Sequence, residues 1–159
     1  MIRPLDPEAD LALVERFYAD APDYWLLAEG VAPGGEKALE FFTDGPPGCD
    51  PAASHRLGLF LAGRLSGLAE LSFGFPEAGD AYLGLMILGP WAQGGGHGAG
   101  FLAHVETLAR QTGSQRLYLG VLSRNPRGRA FWLREGFRAT GVSRETDQGA
   151  RVERLVKTL

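Results

Sequence analysis

The sequence of 159 residues predicts an α+β domain with a central mixed, mostly antiparallel sheet flanked by about four helices. Three observations carry that prediction. Alternating apolar segments in the first half are joined by short turns rich in glycine and proline, the pattern of antiparallel hairpins. A strand–helix–strand unit follows, and such a crossover makes a parallel pair. That unit lies in mid-chain after the antiparallel hairpins and not at the head of a parallel sheet. One domain spanning residues 1–159 is expected at this length.

In chain order, Ile2–Leu5 reads as a short opening strand. Asp6-Pro7-Glu8 reads as a helix start, with Leu11, Val14, Phe17 and Tyr18 at helical spacing behind it. A second helix is expected over Glu36–Phe42. Asp44–Ser54 holds three prolines and two glycines and reads as a loop. Leu57, Leu59 and Leu61 alternate, and Ala62-Gly63-Arg64 turns the chain into a strand over Ser66–Phe73. Gly74–Asp80 makes the next connection, and Ala81–Leu88 is a long strand. A helix follows from about Gly98 to Gln111, with Phe101, Leu102, Val105, Leu108 and Ala109 as its apolar stripe and Gly113 beyond its end. Arg116–Leu122 is a strand. Asn125-Pro126 supplies an N-cap and a first-turn proline for a helix that runs to about Glu135 and stops at Gly136. Strands near Arg138–Glu145 and Arg151–Thr158 complete the sheet.

Composition narrows the function. Hydrophobic residues make up 45% and charged residues 22%, with a net charge of −3. That balance is globular and gives no general attraction to nucleic acid. No apolar run reaches the roughly 20 residues of a membrane helix, and Met1-Ile2-Arg3-Pro4-Leu5-Asp6 lacks a signal peptide's apolar core. A cytoplasmic protein with no membrane or nucleic-acid partner is expected, and a homodimer is compatible with it. The single cysteine, Cys49, excludes an internal disulfide, and His55, His97 and His104 show no metal spacing, so no metal is expected.

The stretch that points to chemistry is Gln93-Gly94-Gly95-Gly96-His97-Gly98-Ala99-Gly100. Five of these eight residues are glycine, immediately ahead of an amphipathic helix. Each glycine in or near a helix costs roughly 0.5–1 kcal/mol against alanine. Bare backbone opening into a helix N-terminus is suited to phosphate oxygens. A P-loop is excluded because Phe101, not lysine, follows Gly100. A dinucleotide fingerprint is met by Gly94, Gly96 and Ala99, but the acidic residue expected about 20 positions on is absent from Leu117–Leu122. A dinucleotide oxidoreductase is therefore disfavoured.

A third pattern fits better. Gln93, Gly96 and Gly98 read Q-x-x-G-x-G directly after a strand, and Asn125, Phe131, Gly136 and Phe137 read N-x-x-x-x-x-F-x-x-x-x-G-F after the next. This pair resembles the acetyl-coenzyme-A loop and downstream segment of the GNAT superfamily of N-acetyltransferases. Two departures stand out. The family's alanine is Gly128, and its tyrosine is Trp132, whose indole is no acid near neutral pH.

The resemblance implies a GNAT-like fold with a splayed strand pair at the cofactor site. It also implies transfer of an acetyl group from acetyl-coenzyme A to a primary amine of a small molecule or protein. The pyrophosphate would lie on the backbone of Gln93, Gly94, Gly96, Gly98 and Ala99. The pantetheine arm would pair with Met86, Ile87 and Leu88, where a backbone N–H near Met86 or Ile87 faces the thioester carbonyl. Asn125 would touch the cofactor, or serve only as a helix cap. Trp132 would meet the pantetheine end, or only pack.

The residues themselves suggest the rest. Glu70 is a candidate for the base that takes the amine proton, directly or through water, or else a solvent-facing strand residue. Closing its hairpin near Glu77 sets Glu70 opposite Gly84 and Ser72 opposite Tyr82. Tyr82, Gly84 and Met86 would share a face of their strand, and Glu70 and Ser72 facing Gly84 and Tyr82 would make a polar notch with no cation nearby in sequence. Tyr82 is either part of the chemistry or packing. Tyr24, Trp25 and Glu29, between the first two helices, are candidates for holding the amine by aromatic contact and charge, or else a helix–helix core. The competing functional class is a non-catalytic acyl-coenzyme-A sensor, because Trp132 replaces the tyrosine.

Overall fold

The computed structural model describes all 159 residues. Its strands are β1 (Ile2–Pro4), β2 (His55–Leu61), β3 (Arg64–Phe73), β4 (Asp80–Leu88), β5 (Arg116–Leu122), β6 (Arg138–Glu145) and β7 (Arg151–Thr158). They form one sheet in the order β1-β2-β3-β4-β5-β7-β6. Each neighbouring pair is antiparallel except β4 with β5, the pair joined by a helical crossover.

Five helices cover the sheet: α1 (Leu11–Asp20), α2 (Asp23–Glu29), α3 (Gly35–Thr43), α4 (His97–Gln111) and α5 (Pro126–Arg134). The stripe of α4 packs Phe101, Leu102, Val105 and Ala109 against Leu71, Leu83, Leu117 and Leu155 on one face. On the other, Val14 and Phe17 of α1 and Phe41 of α3 meet Leu68 and Ile87. Each fully buried leucine or phenylalanine contributes about 1.5–3 kcal/mol of hydrophobic stabilisation.

Two sequence expectations are corrected. The first helix does not begin at Asp6-Pro7-Glu8. Asp6 Oδ1 instead accepts the N–H groups of Glu8 and Ala9 at 2.9 and 2.8 Å, a local turn that competes with helix, and α1 starts at Leu11. A fifth helix, α2, lies where none was expected, and it carries Tyr24, Trp25 and Glu29. It is seven residues long, too short for periodicity to reveal, but Pro22 before it and a left-handed Gly30 (φ 76°) after it mark both ends.

Two irregularities of β4 shape the site. Its pairing with β5 runs only from Asp80↔Arg116 to Leu83↔Leu119, although both strands continue, so the pair opens like a wedge beyond Leu83. On the β3 side the register is Glu70↔Leu85 and then Leu71↔Leu83, which leaves Gly84 as an extra residue in a bulge. The bulge overturns two expectations. Leu85, not Gly84, stands opposite Glu70, and Met86 packs on the α4 face with Leu83 while Leu85 packs on the α1 face, so Met86 does not share a face with Tyr82. Ser72 does pair with Tyr82.

Candidate active site

The wedge opens into a groove of about 770 Å³. Its floor is the β4 segment Met86, Ile87 and Leu88, and its far end is the glycine loop. The N–H groups from Gly94 to Ala99 donate to no backbone carbonyl, whereas Gly100 N–H already bonds to Gly96 O. They form an open nest at the positive end of a 15-residue helix, the geometry that binds phosphate oxygens. Gly96 sits at φ 81°, where a side chain is strained. At Gly98 a Cβ would lie 3.2 Å from the Phe131 ring, so its bare backbone lets α4 and α5 meet beneath the loop. Gln93 steadies the loop by donating from Nε2 to Leu88 O at 3.2 Å.

Apart from Leu88 O, which accepts from Gln93, the edge of β4 facing the groove has no strand partner. Gly89 N–H bonds to Ser66 O in β3 at 2.8 Å. By alternation the main chain of Ile87 also turns to β3, and that of Met86 and Leu88 turns to the wedge. Of the two N–H groups considered for the thioester carbonyl, that of Met86 is the one presented. Across the groove, Asn125 Oδ1 accepts Gly128 N–H at 2.9 Å and caps α5. Trp132 is buried between Phe131 and Phe137, with ring centroids 4.9 and 5.4 Å away, and its edge lines the groove. Near Asn125 in sequence, Arg129 is tied to Glu153 at 2.6 Å, while Arg127 lines the groove.

A second cavity of about 620 Å³ lies on the α1–α3 side of the sheet and meets the groove at Tyr24, Gly84 and Leu85. Glu70 sits at this junction and is 5% exposed, so it is not a solvent-facing strand residue. Gly84 is needed beside it, because a Cβ there would collide with Glu70 Oε2. Burial holds the Glu70 carboxyl above the usual carboxylate range. Ser72 Oγ–H, the Arg56 guanidinium and Gly84 N–H oppose the shift without reversing it. The expectation of no nearby cation is therefore corrected. Arg56 lies directly opposite Glu70 on β2, with Nη2 3.9 Å from Oε1. Arg56 is buried, donates to the carbonyls of Phe41 and Asp44, and leaves Nη2 without a hydrogen-bond partner.

The sequence profile of the acetyltransferase (GNAT) family matches residues 14–137. The chain belongs to this family. Its fold is similar over its full length to an acetyltransferase from Thermus thermophilus, with 28% identity, 96% of that chain covered and a TM-score of 0.78. It is also similar to the PaiA N-acetyltransferase of Thermoplasma acidophilum in complex with coenzyme A (21% identity, 100% and 98% of the two chains, TM-score 0.70). A third similar structure is the ribosomal-protein-S18-alanine N-acetyltransferase of Escherichia coli (17%, 99% and 92%, TM-score 0.73). No curated protein matches the chain in sequence.

In this GNAT acetyltransferase the expected loop residues Gln93, Gly94, Gly96, Gly98 and Ala99 all line the groove, as do Met86, Ile87, Leu88, Asn125 and Trp132. Glu70 and Tyr82 both line the second cavity. Tyr82 stacks edge-on against Phe75 at 5.1 Å, and burial raises its hydroxyl's pKa. Tyr24, Trp25 and Glu29 also reach that cavity, but their proposed cation site is already filled from within. Lys37 Nζ sits 4.4 Å over the Trp25 ring and 2.8 Å from Glu29, with Glu40 at 3.2 Å. Sequence reasoning missed Lys37 and Arg56, and it also missed Arg144 and Arg154, which line the opposite end of the same cavity.

Proposed function

We infer that the protein moves the acetyl group of acetyl-coenzyme A to a primary amine of a small molecule or a protein by direct attack. The observation that carries this reading is the junction of the two cavities. A buried carboxyl with a raised pKa meets the free edge of β4 where a donor groove and an acceptor cavity touch.

Acetyl-coenzyme A supplies the thioester that the amine attacks. The loop from Gln93 to Ala99 would hold the pyrophosphate through backbone N–H groups, and the Met86–Leu88 edge would hold the pantetheine arm as an added strand. Met86 N–H would donate to the carbonyl oxygen as negative charge develops on it. Glu70 accepts the proton that the amine must lose, directly or through one water. The new N–C bond forms as the C–S bond breaks. Coenzyme A leaves as a thiolate, which takes its proton from solvent. Trp132 is accommodated on this route, because no general acid is required at its position. Tyr82 walls the acceptor cavity beside Glu70.

The test is release of free coenzyme A thiol from acetyl-coenzyme A with a broad panel of amines, set beside calorimetric binding of coenzyme A. Amine-dependent thiol release supports the reading. Tight binding with no release from any amine would favour an acyl-coenzyme-A sensor instead.

A further inference from the structure

The acceptor cavity has a charge pattern that its neighbours do not neutralise. Six lysines or arginines of the chain are less than fully exposed: Arg3, Lys37, Arg56, Arg129, Arg154 and Lys157. Five have carboxylate partners, namely Asp10, Glu29 with Glu40, Glu70, Glu153 and Glu106. Arg154 has none. A half-buried guanidinium that has lost part of its hydration and has no counter-charge is available to an anionic partner.

Arg154 points into the acceptor cavity, where its guanidinium lies 5.2 Å from the centroid of the Phe75 ring. Arg144 of β6 lines the same end and is also without a carboxylate partner, and Thr146 and Gln148 of the β6–β7 turn stand beside it. Both arginines are close enough to the Tyr82 hydroxyl to pull its pKa down against burial. Neither lines the donor groove. They therefore face whatever enters from the acceptor side.

The opposite end of the cavity is acidic and already balanced. Glu29 and Glu40 are engaged by Lys37. Glu70, on β3, is the buried carboxyl at the β4 edge, with Arg56 3.9 Å away and Asp44 also lining this end, whereas Arg154 on β7 and Arg144 on β6 are the lining cations without a carboxylate partner. The strands between them are β4 and β5. The wedge between β4 and β5 has opened at this level, so the three strand-to-strand steps from Glu70 to Arg154 set their Cα atoms roughly 14 Å apart or more, and long side chains reach inward from both ends. The space left suits a molecule with its cationic and anionic groups a few bonds apart.

We propose that the acceptor is a small zwitterion, a primary amine that also carries a carboxylate, with the amine at Glu70 and the carboxylate at Arg154 and Arg144. This rests on the acetyltransferase reading above and adds its substrate class. Phe75, Tyr24 and Leu85 give the middle of the cavity apolar walls, so an amino acid with an apolar or aromatic side chain fits best.

The test compares matched acceptors. The common L-amino acids and short ω-amino acids are each assayed beside the corresponding amide and decarboxylated amine, with coenzyme A release as readout. At least one free amino acid is expected to exceed both partners in kcat/KM by about tenfold or more. In Arg154→Gln that ratio is expected to fall to about one, mainly through KM, and Arg154→Lys should restore part of it. Arg144→Gln, on an exposed strand, should narrow the ratio without endangering the fold. Amides or plain amines turned over as well as the free acids would overturn the zwitterion and leave the acetyltransferase standing. An amide preference would point to a protein N-terminus instead. No turnover of any member would overturn the zwitterion and leave the acetyltransferase reading to a protein amine. An unchanged ratio in folded Arg154→Gln and Arg144→Gln would remove the arginines from the proposal.

Discussion

At the residue scale the site turns on one carboxyl and the glycine that makes room for it. Glu70 is buried, and burial favours its protonated form, while Ser72, Arg56 and Gly84 N–H favour the ionised one. The balance lies above the ordinary value, nearer the pH at which a base of this kind must work. Glu70→Gln keeps the shape and removes the basicity. Its kcat/KM is expected to fall most near neutral pH and to recover at high pH, where the amine is already deprotonated. Coenzyme A affinity should be unchanged. A pH–rate profile of both proteins checks this, and an equal loss at every pH would reassign Glu70 to positioning. Why Glu70 was readable and its partner was not is a matter of register. Counting back from the Ala62-Gly63 turn pairs Leu61 with Arg64 and would set Ala69 opposite Arg56. A bulge between Leu59 and Phe60 shifts the ladder by one residue and brings Glu70 there instead.

At the element scale the decisive unit is the loop that opens α4. Its function was legible because the requirement is local. Open backbone N–H groups at a helix start need glycine, and glycine is visible in sequence. Gly96→Val would strain a left-handed residue, and Gly98→Val would push against Phe131. Both are expected to weaken coenzyme A binding at least tenfold, as measured by calorimetry, with far-ultraviolet circular dichroism retained. A folded variant with unchanged affinity would move the pyrophosphate elsewhere. The opposite lesson comes from α2 and from the bulge at Gly84. A seven-residue helix shows too little periodicity to register, and the bulge reverses the faces of Met86 and Leu85 with no marker but one glycine. Lys37 was hidden for a further reason. That it fills the Trp25–Glu29 box follows from the packing of α2 against α3, which no local pattern encodes.

At the scale of the whole molecule, the mixed sheet and the positions of most elements followed from hairpins and one crossover, whereas the place of β7 between β5 and β6 did not. The charges that finish the acceptor cavity come from β6 and β7, at the far end of the chain. The N-terminal edge is fastened by a different device. Asp10 is buried and accepts two hydrogen bonds from Arg3 at 3.0 Å and one from Asp6 N–H at 2.7 Å. The Arg3 guanidinium holds the Asp10 carboxyl below its ordinary value. A lowered carboxyl pKa adds stability above the unfolded pKa, and that stability is lost as pH falls through the folded one. Asp10→Asn should therefore cost about 1–3 kcal/mol near neutral pH. The gap between the two melting temperatures should close below about pH 4. Melting curves across that range decide it, and a constant gap would mean that shape, not charge, fastens the edge.

The wedge beyond Leu83 and Leu119 also makes the sheet incomplete in its free form. From Met86 to Leu88, β4 has a neighbour on one side only. A bound coenzyme A arm would then be a missing part of the architecture as well as a reactant, and occupancy would be linked to the folding equilibrium. At a hundredfold excess over the dissociation constant this linkage is worth about 2.7 kcal/mol. The melting temperature should climb with the logarithm of coenzyme A concentration. The gain should be local as well as global. The amide hydrogens of Met86 and Leu88 should exchange quickly in the free protein and slowly in the complex, while that of Ile87, already committed to β3, should change far less. Equal protection at all three positions would mean that the ligand tightens the whole domain instead of completing its edge.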